Sequence, residues 1–186
     1  MNEPIRLSRN NKLNLQNKKF IISVKDLYEL IPNEISKVLQ NASKKNLTDL
    51  HLFDLALSNG QPLTSAGGVY LFFTSDNTCL YIGKATSRSF ISRIPAHFDP
   101  RPDSWFATFP NKVLKMGLAD NYDSALLFCH NCSVLLLKFD CDRDCKNYAG
   151  IIETYLRVLL KPVLNPSKHS KCLLPQQKLQ NYLQIK

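Results

Sequence analysis

Two β-rich segments joined by a short polar turn constrain the fold of this chain more than any other part of its sequence. The first, from Gly68 to Thr74, reads Gly-Val-Tyr-Leu-Phe-Phe-Thr, and the second runs from Cys79 to Gly83. Between them lie Ser-Asp-Asn-Thr, whose short polar side chains favour turns. Two such runs separated by a short loop predict an antiparallel β-hairpin.

The rest of the chain predicts helices around this hairpin and an α/β (α+β) fold. Apolar residues at helical spacing predict helices over 25–59, 87–94, 122–130 and 146–160, and β-rich runs predict strands over 20–24 and 133–139. Prolines make residues 98–112 an expected irregular loop, and a short helix is expected from Gln176. We therefore expect a small, mostly antiparallel three-stranded sheet flanked by helices, with a helical N-terminal extension.

Composition narrows the class of protein. Apolar residues make up 44% of the 186 residues, which is enough for a hydrophobic core and too much for a disordered chain. No stretch approaches the roughly 18 consecutive apolar residues that a membrane span requires, so no membrane partner is expected. Met1 to Pro4 lead into no apolar segment, so we expect a cytoplasmic protein.

The formal net charge is +9, and much of the basic excess lies near the two ends of the chain. Lys and Arg side chains that neutralise phosphates release the condensed counterions of a nucleic acid, which favours binding. A nucleic acid is therefore the expected partner, and a charge that serves only solubility is the alternative.

Five elements within residues 67–166 occur in an order typical of one nuclease family. They are Gly68-Val69-Tyr70, Tyr81-Ile82-Gly83-Lys84, Arg93-x-x-x-His97, Glu153, and Asn165 after Lys-Pro. The series resembles that of the GIY-YIG endonucleases. The resemblance implies a catalytic domain over 67–166 with an insertion over about 98–132, preceded by a basic arm and helical extension over 1–66 and followed by a basic tail over 167–186.

The resemblance assigns three charged residues to the metal and the phosphate. Glu153 is the expected ligand of one Mg²⁺ or Mn²⁺, because a hard ion of this kind takes one or two carboxylates and keeps several waters. Arg93 is expected to clamp the scissile phosphate with its fork of donors, with Arg88 as its competitor. Lys84 is expected to contact phosphate or to lower the pKa of a tyrosine. For each of these residues a solvated surface role is the alternative.

The two tyrosines and His97 are the expected proton-transfer groups. One tyrosine of the pair is implied to be the general base, and we favour Tyr70, with Tyr81 orienting water or phosphate; the sequence does not separate them. His97 is expected to share proton transfer or to contact the phosphate. Asn165 is expected to tie the helix end to the hairpin rather than to bind the metal. Packing in the core is the alternative for the tyrosines, and a helix-end residue without a role is the alternative for His97.

Four cysteines suggest a second metal site. Cys129-x-x-Cys132 and Cys141-x-x-x-Cys145 have spacings that zinc accepts. The apolar residues before Cys129 make the first pair resemble core, and free buried cysteine is common. We therefore favour reduced thiols over a structural Zn²⁺ site.

Together these expectations describe a metal-dependent endonuclease that hydrolyses phosphodiester bonds in DNA, with restriction-like cleavage favoured. A non-catalytic nucleic-acid-binding module, and a nuclease acting on RNA or branched structures, remain as alternatives. Both a monomer and a homodimer are open. If the protein reads a DNA sequence, we expect base contacts from residues 20–59 and from the insertion. The insertion contains aromatic and basic side chains that can stack on bases: Arg101, Trp105, Phe106, Phe109, Lys112 and Lys115. Packing of this loop against the domain is the alternative.

Overall fold

A mixed β-sheet forms the centre of the protein in a computed structural model that describes residues 20–58, 61–101 and 108–167. The strands are β1 (Ile21–Ser23), β2 (Lys45–Asn46), β3 (Leu57–Ser58), β4 (Gln61–Pro62), β5 (Gly68–Phe73), β6 (Cys79–Ala85) and β7 (Ser133–Lys138). The α-helices are α1 (Pro32–Asn41), α2 (Phe90–Arg93), α3 (Thr108–Lys115), α4 (Tyr122–His130) and α5 (Asp142–Leu160). Short 3₁₀ helices cover Val24–Leu27, Leu47–Asp49, Leu52–Leu55 and Pro95–Phe98.

Strand β5 lies between β6 and β7 in the main sheet and pairs antiparallel with both. On the other edge of β7, β1 pairs in parallel with the C-terminal half of that strand. Strand β2 pairs antiparallel with the first two residues of β7. Within the described residues the main sheet therefore has five strands, and β1 and β2 share one edge of β7. Strands β3 and β4 form a separate antiparallel ladder.

The α/β (α+β) class is confirmed, but the predicted sheet of three strands is too small. Strands β5, β6 and β7 form the three-stranded core of the sheet that the sequence predicts. Strand β1 matches the predicted strand over 20–24, yet its partner lies far along the chain, and such a pairing leaves no local pattern. Strand β2 consists of Lys45 and Asn46, which carry no β-rich signal.

The predicted N-terminal helical region is helical over only part of its length. Helix α1 begins with Pro32 at its first position, where a missing N–H does not matter, and the Glu34 carboxylate accepts a 3.2 Å hydrogen bond from the Ile31 N–H. After Asn41 the backbone becomes extended, and 3₁₀ helices and short strands follow. The prediction of a helix over residues 42–58 is therefore wrong. The apolar residues at helical spacing in this segment lie on 3₁₀ helices and short strands.

Three further differences concern helix bounds. Helix α2 is shorter than the predicted helix over 87–94. Helix α3 covers part of the expected irregular loop, because Pro110 is its third residue and lies in the first turn, where backbone N–H groups have no partner within the helix. Helix α5 begins at Asp142, before the predicted start at 146. Helix α4 has the predicted bounds.

The two faces of the main sheet bury different cores. One core, called the first core here, packs α1 and α5 against Val69, Leu71 and Phe73 of β5. The second core packs α2, α3 and α4 against Tyr70 and Phe72 of the same strand. Side chains alternate between faces along a strand, and β5 is buried throughout. Because Tyr70 belongs to the second core, the candidate site develops on that face.

Some expectations fall on residues outside the described ranges. These are the N-terminal part of the expected basic arm, the aromatic pair Trp105 and Phe106, and the expected basic tail with its short helix. Among the described residues, none of the helices combines the length and the apolar character that a membrane crossing requires.

Candidate active site

The hairpin places Tyr70 directly opposite Gly83, because these residues are register partners in β5 and β6. The Tyr70 ring lies against the bare Cα of Gly83. A Cβ at residue 83 would be 2.4 Å from both Cζ and Oη of Tyr70. Glycine is therefore required at this position by the cross-strand ring and not by a turn.

Tyr81 lies beside Tyr70 on the same face of the sheet. The two rings are stacked, with centroids 6.2 Å apart and an interplanar angle of 28°. Tyr70 is 0% exposed, whereas Tyr81 is 8% exposed. Of the two candidate bases, Tyr81 is therefore the one with some direct access from solvent.

His97 is buried behind the two tyrosines, in the 3₁₀ helix that follows α2. Its Nε2 is 2.6 Å from the Tyr70 hydroxyl. Its Nδ1 contacts the Thr108 hydroxyl at the start of α3. Both ring nitrogens are therefore engaged, and the ring links the hairpin to the inserted helix.

The His97 imidazole is neutral at physiological pH. Burial is the main cause that lowers its pKa, to about 3, and the positive charges of Arg93 and Lys112 lower it further. A neutral imidazole has one N–H donor and one acceptor nitrogen. His97 can therefore donate one hydrogen bond and accept another, as its two partners require.

Burial also raises the pKa of both tyrosines. For Tyr70, burial and the neighbouring Tyr81 raise the pKa, and the charge of Arg93 opposes them. For Tyr81, burial again raises the pKa and Arg93 again opposes it. Arg93 therefore acts on Tyr70, Tyr81 and His97 alike, whereas Arg88 is an exposed residue.

Glu153 of α5 lies between two cations, and its charge acts on both tyrosines. Its Oε2 is 3.4 Å from Lys84 Nζ, and its Oε1 is 3.8 Å from Arg157 Nη1. Burial is the main cause that raises the pKa of Tyr70 and of Tyr81, and the negative charge of Glu153 is a smaller cause in the same direction. Gly150, one turn earlier on α5, leaves room for the Lys84 amine, since a Cβ there would be 3.0 Å from Nζ.

Asn165 fastens the segment after α5 to the outer edge of β6. Its side-chain Oδ1 accepts a 3.1 Å hydrogen bond from the Ile82 N–H, and its Nδ2 donates a 2.6 Å hydrogen bond to the Ile82 carbonyl. The backbone N–H of Leu164 also donates a 2.8 Å hydrogen bond to the Leu80 carbonyl of β6. The amide side chain thus pairs with Ile82 as a neighbouring strand would.

Arg157 connects Asn165 to Glu153. Its Nε donates a 2.7 Å hydrogen bond to the Asn165 carbonyl, and its Nη2 donates a 3.1 Å hydrogen bond to the Pro166 carbonyl. The remaining nitrogen faces Glu153. The guanidinium is therefore held by backbone on one side and lies near the carboxylate on the other.

Lys112 of the inserted helix α3 adds a further positive charge. Its Nζ lies 6.0 Å from the centroid of the Tyr81 ring. Burial lowers its pKa, and the charges of Arg157 and Lys115 lower it further. The cation cluster around Tyr81 and Glu153 thus consists of Lys84, Arg93, Lys112 and Arg157.

Most residues of this site can be predicted from the sequence, and a few cannot. Tyr70, Tyr81, Lys84, Arg93, His97, Glu153 and Asn165, which the sequence singles out, all lie in or beside the site. Arg157 was detectable, because it is one helical turn after Glu153, at a spacing that places both on one face. Thr108 and Gly150 carry no sequence signal, because their importance comes only from what folds against them.

The four cysteines with zinc-like spacing do not lie together. Cys129 and Cys132 belong to the second core, Cys145 belongs to the first core, and Cys141 is exposed. Burial raises the pKa of Cys132 to about 12 and that of Cys145 to about 11. In the absence of a metal, these buried thiols are therefore protonated.

The donor set at Glu153 fits a hard divalent ion. Both ion pairs of this carboxylate exceed the range of about 2.7–3.2 Å for direct hydrogen bonds, so neither cation holds it tightly. The described residues contain no group of three or more His, Cys, Asp or Glu side chains that could hold a metal ion. Mg²⁺ does not need such a group, because it binds through one or two carboxylates and keeps several waters.

Comparison with protein-family models, with curated proteins and with solved structures finds no match for this chain.

Proposed function

We propose that the protein is a metal-dependent endonuclease of the GIY-YIG type that hydrolyses phosphodiester bonds in DNA. The proposal is supported by one observation above all. Tyr70, Tyr81, Arg93, His97 and Glu153 are singled out by sequence order alone, and they influence one another's charge or hydrogen bonding across five separate elements. Residues that matched a motif by chance would have no reason to converge.

The charge balance of the site favours an anionic substrate. Lys84 and Arg157 flank the carboxylate of Glu153, and Arg93 and Lys112 add positive charge near Tyr81. Burial lowers the pKa of Lys112, and repulsion by the positive charges of Arg157 and Lys115 lowers it further. A phosphate group relieves that repulsion, and a nucleic acid supplies many phosphates.

Arg93 is the residue best placed to hold the scissile phosphate. It lies beside both tyrosines and His97, and its planar fork matches phosphate oxygens. Lys112 approaches the Tyr81 ring from α3, and Lys84 lies beside Glu153. Interactions of this kind that strengthen as charge develops on phosphorus stabilise the transition state.

The tyrosines and His97 provide a path for a proton. Tyr81 is the more accessible phenol and orients the attacking water or a phosphate oxygen. Burial disfavours the Tyr70 anion. Tyr70 can therefore accept a proton from the water only if its own hydroxyl proton leaves at the same time. The Nε2 of His97, 2.6 Å away, is the neighbouring acceptor. A bound phosphate offsets the charges of Arg93 and Lys112, two of the causes that lower the pKa of His97.

Glu153 would hold one Mg²⁺ or Mn²⁺. When bound, such an ion neutralises phosphate charge and lowers the pKa of a coordinated water. Arg157 keeps the carboxylate at the site by its contacts with the backbone of Asn165 and Pro166. Duplex DNA cut in a restriction-like manner is the proposed substrate.

A plasmid cleavage assay tests the proposal. Supercoiled DNA is incubated with the wild-type protein and with Glu153→Gln, in Mg²⁺, in Mn²⁺ and in EDTA. We expect nicking or linearisation by the wild type with either metal, and none in EDTA or by Glu153→Gln. Asp120→Asn, which neutralises an exposed carboxylate elsewhere, is the matched control and keeps full activity.

Different failures of this assay have different meanings. Equal cleavage by Glu153→Gln contradicts the metal assignment. Salt-sensitive binding to the plasmid without cleavage by any variant supports the non-catalytic binding module. Cleavage of RNA or of a branched junction, but not of the plasmid, places the substrate in that class instead of duplex DNA.

A further inference from the structure

The amine of Lys84 lies against α5 at a position where that helix has no side chain. Its Nζ is 3.4 Å from Glu153 Oε2. Gly150 faces the same amine, since a Cβ there would be 3.0 Å from Nζ. Helix residues that are three positions apart lie on one face. Gly150 and Glu153 therefore form one surface of α5, and the positive charge of Lys84 is placed on it.

The direction of the Lys84 side chain separates it from the two tyrosines. Lys84 is the register partner of Val69, which belongs to the first core, whereas Tyr70 and Tyr81 belong to the second core. Directly opposed residues of paired strands point to the same face of the sheet. Lys84 therefore extends toward α5, which packs on the face of the first core, and its charged partner there is Glu153.

The two cations beside Glu153 are fixed to different degrees. Arg157 donates hydrogen bonds to the backbone carbonyls of Asn165 and Pro166 as well as facing Glu153. The Lys84 side chain is 45% exposed, against 27% for that of Arg157. A lysine amine also sits on a flexible four-carbon stem. Lys84 is therefore the cation that can move away from the carboxylate, while Arg157 stays in place.

We infer that Lys84 balances the charge of Glu153 in the metal-free protein and leaves the carboxylate when a divalent ion binds there. The Glu153 side chain is only 16% exposed, and a carboxylate removed from water in this way is costly without a cationic partner. An ammonium group and a divalent ion at one carboxylate would repel each other. Lys84 therefore competes with the ion. This inference rests on the proposed function for the metal site at Glu153.

The affinity of the full chain for Mg²⁺ tests the inference without any cleavage. Amide ¹H–¹⁵N spectra are recorded during a titration with MgCl₂ at constant ionic strength, and the signals that stop responding in Glu153→Gln report the site. Lys84→Met removes the charge and keeps an unbranched side chain. We expect it to bind Mg²⁺ about 2- to 5-fold more tightly than the wild type, as loss of a partly exposed competing ion pair predicts. Lys112→Met removes a positive charge beside the Tyr81 ring, not at the carboxylate, and is expected to have a smaller effect.

Gly150→Val tests the position of the amine while keeping its charge. The added side chain occupies the space in which Lys84 Nζ lies, so the amine must move away from this part of α5. We expect Gly150→Val to tighten Mg²⁺ binding in the wild-type background. In a Lys84→Met background it is expected to add little, because no amine remains to be displaced. An effect of valine that does not pass through Lys84 would be equal in both backgrounds.

Unchanged or weaker Mg²⁺ binding by Lys84→Met overturns the inference. So does an equal gain in Lys112→Met, because loss of any nearby positive charge would then suffice. An effect of Gly150→Val that is the same in both backgrounds also overturns it. If neither the wild type nor any variant responds to Mg²⁺, the metal site and the inference fail together. Tighter binding by Lys84→Met and Gly150→Val in a protein that cleaves no nucleic acid supports the inference and contradicts the proposed function. Metal-dependent cleavage with unchanged affinities supports the proposed function and overturns the inference.

Discussion

The Tyr70 ring occupies the space in which a side chain at residue 83 would begin, so that Tyr70 and Gly83 are a matched pair across β5 and β6. The same ring contacts His97 and Tyr81. Its position is therefore fixed from three sides, and a change at Gly83 reaches the whole site.

Gly83→Ala is expected to destabilise the fold and to impair cleavage. The added Cβ meets Tyr70 at 2.4 Å, so that ring or backbone must move, and overpacking of this kind costs about 1–3 kcal/mol. Urea unfolding measures the loss. Gly150→Ala is the control, because its Cβ meets only the Lys84 amine, and alanine stabilises a helix relative to glycine by up to about 1 kcal/mol. Equal losses for both variants would contradict the matched pair.

Arg93→Ala is expected to lower the cleavage rate on the order of 10²–10³-fold, as removal of a transition-state donor does. Arg93→Lys keeps the charge but loses the fork, so its rate should lie between those of the wild type and Arg93→Ala. Arg88→Ala changes an exposed residue and should stay near the wild type. Single-turnover cleavage measures all three. A greater loss at Arg88 would show that the register of the Arg-x-x-x-His motif has been misread.

Lys112→Met is expected to weaken DNA binding and to flatten its salt dependence. Each lost phosphate contact reduces the slope of log K against log salt concentration by about 0.9 for duplex DNA. Lys37→Met is the control, because Lys37 is an exposed residue of α1, which packs in the first core, on the other face of the sheet. Fluorescence anisotropy in EDTA measures binding without cleavage. Identical slopes for the two variants would remove Lys112 from the phosphate contacts.

His97 should make the fold sensitive to mild acid. The folded pKa of about 3 lies below the ordinary value of about 6.5, so between these values the unfolded chain binds a proton that the folded chain does not. Stability therefore falls as pH falls through this window, by about 2 kcal/mol between pH 7 and pH 5. Urea unfolding at both pH values should show this loss in the wild type and in the control His51→Gln, but not in His97→Gln. An equal loss in His97→Gln would assign it to other groups.

Local patterns account for what the sequence predicts correctly. The hairpin, the third strand and helix α4 have strong periodicity within a few residues, and each forms as predicted. The pairing of β1 and β2 with β7 joins distant segments, so no local pattern announces it. Helix α3 was not predicted, because prolines in this segment favour an irregular loop. Its first turn accommodates Pro110.

The candidate site follows the same division. Residue type and order single out the tyrosines, Arg93 and Glu153. Burial separates Tyr70 from Tyr81, and burial is a property of the fold, so the sequence leaves the two alike. The cation cluster includes Lys112 and Arg157 because separate elements converge on Tyr81. The sequence indicates Arg157 by its spacing from Glu153, but it does not separate Lys112 from Lys115, which is equally basic.

The segment that Asn165 ties to β6 gives the order of the chain a consequence for its synthesis. Tyr70 and Tyr81 leave the ribosome long before α5, and Glu153 and Asn165 follow late. No incomplete chain that stops short of α5 contains the carboxylate on which the proposed cleavage depends. A growing chain that has not reached α5 therefore lacks the residue that would hold the metal ion, so the proposed cleavage can begin only after α5 has been synthesised.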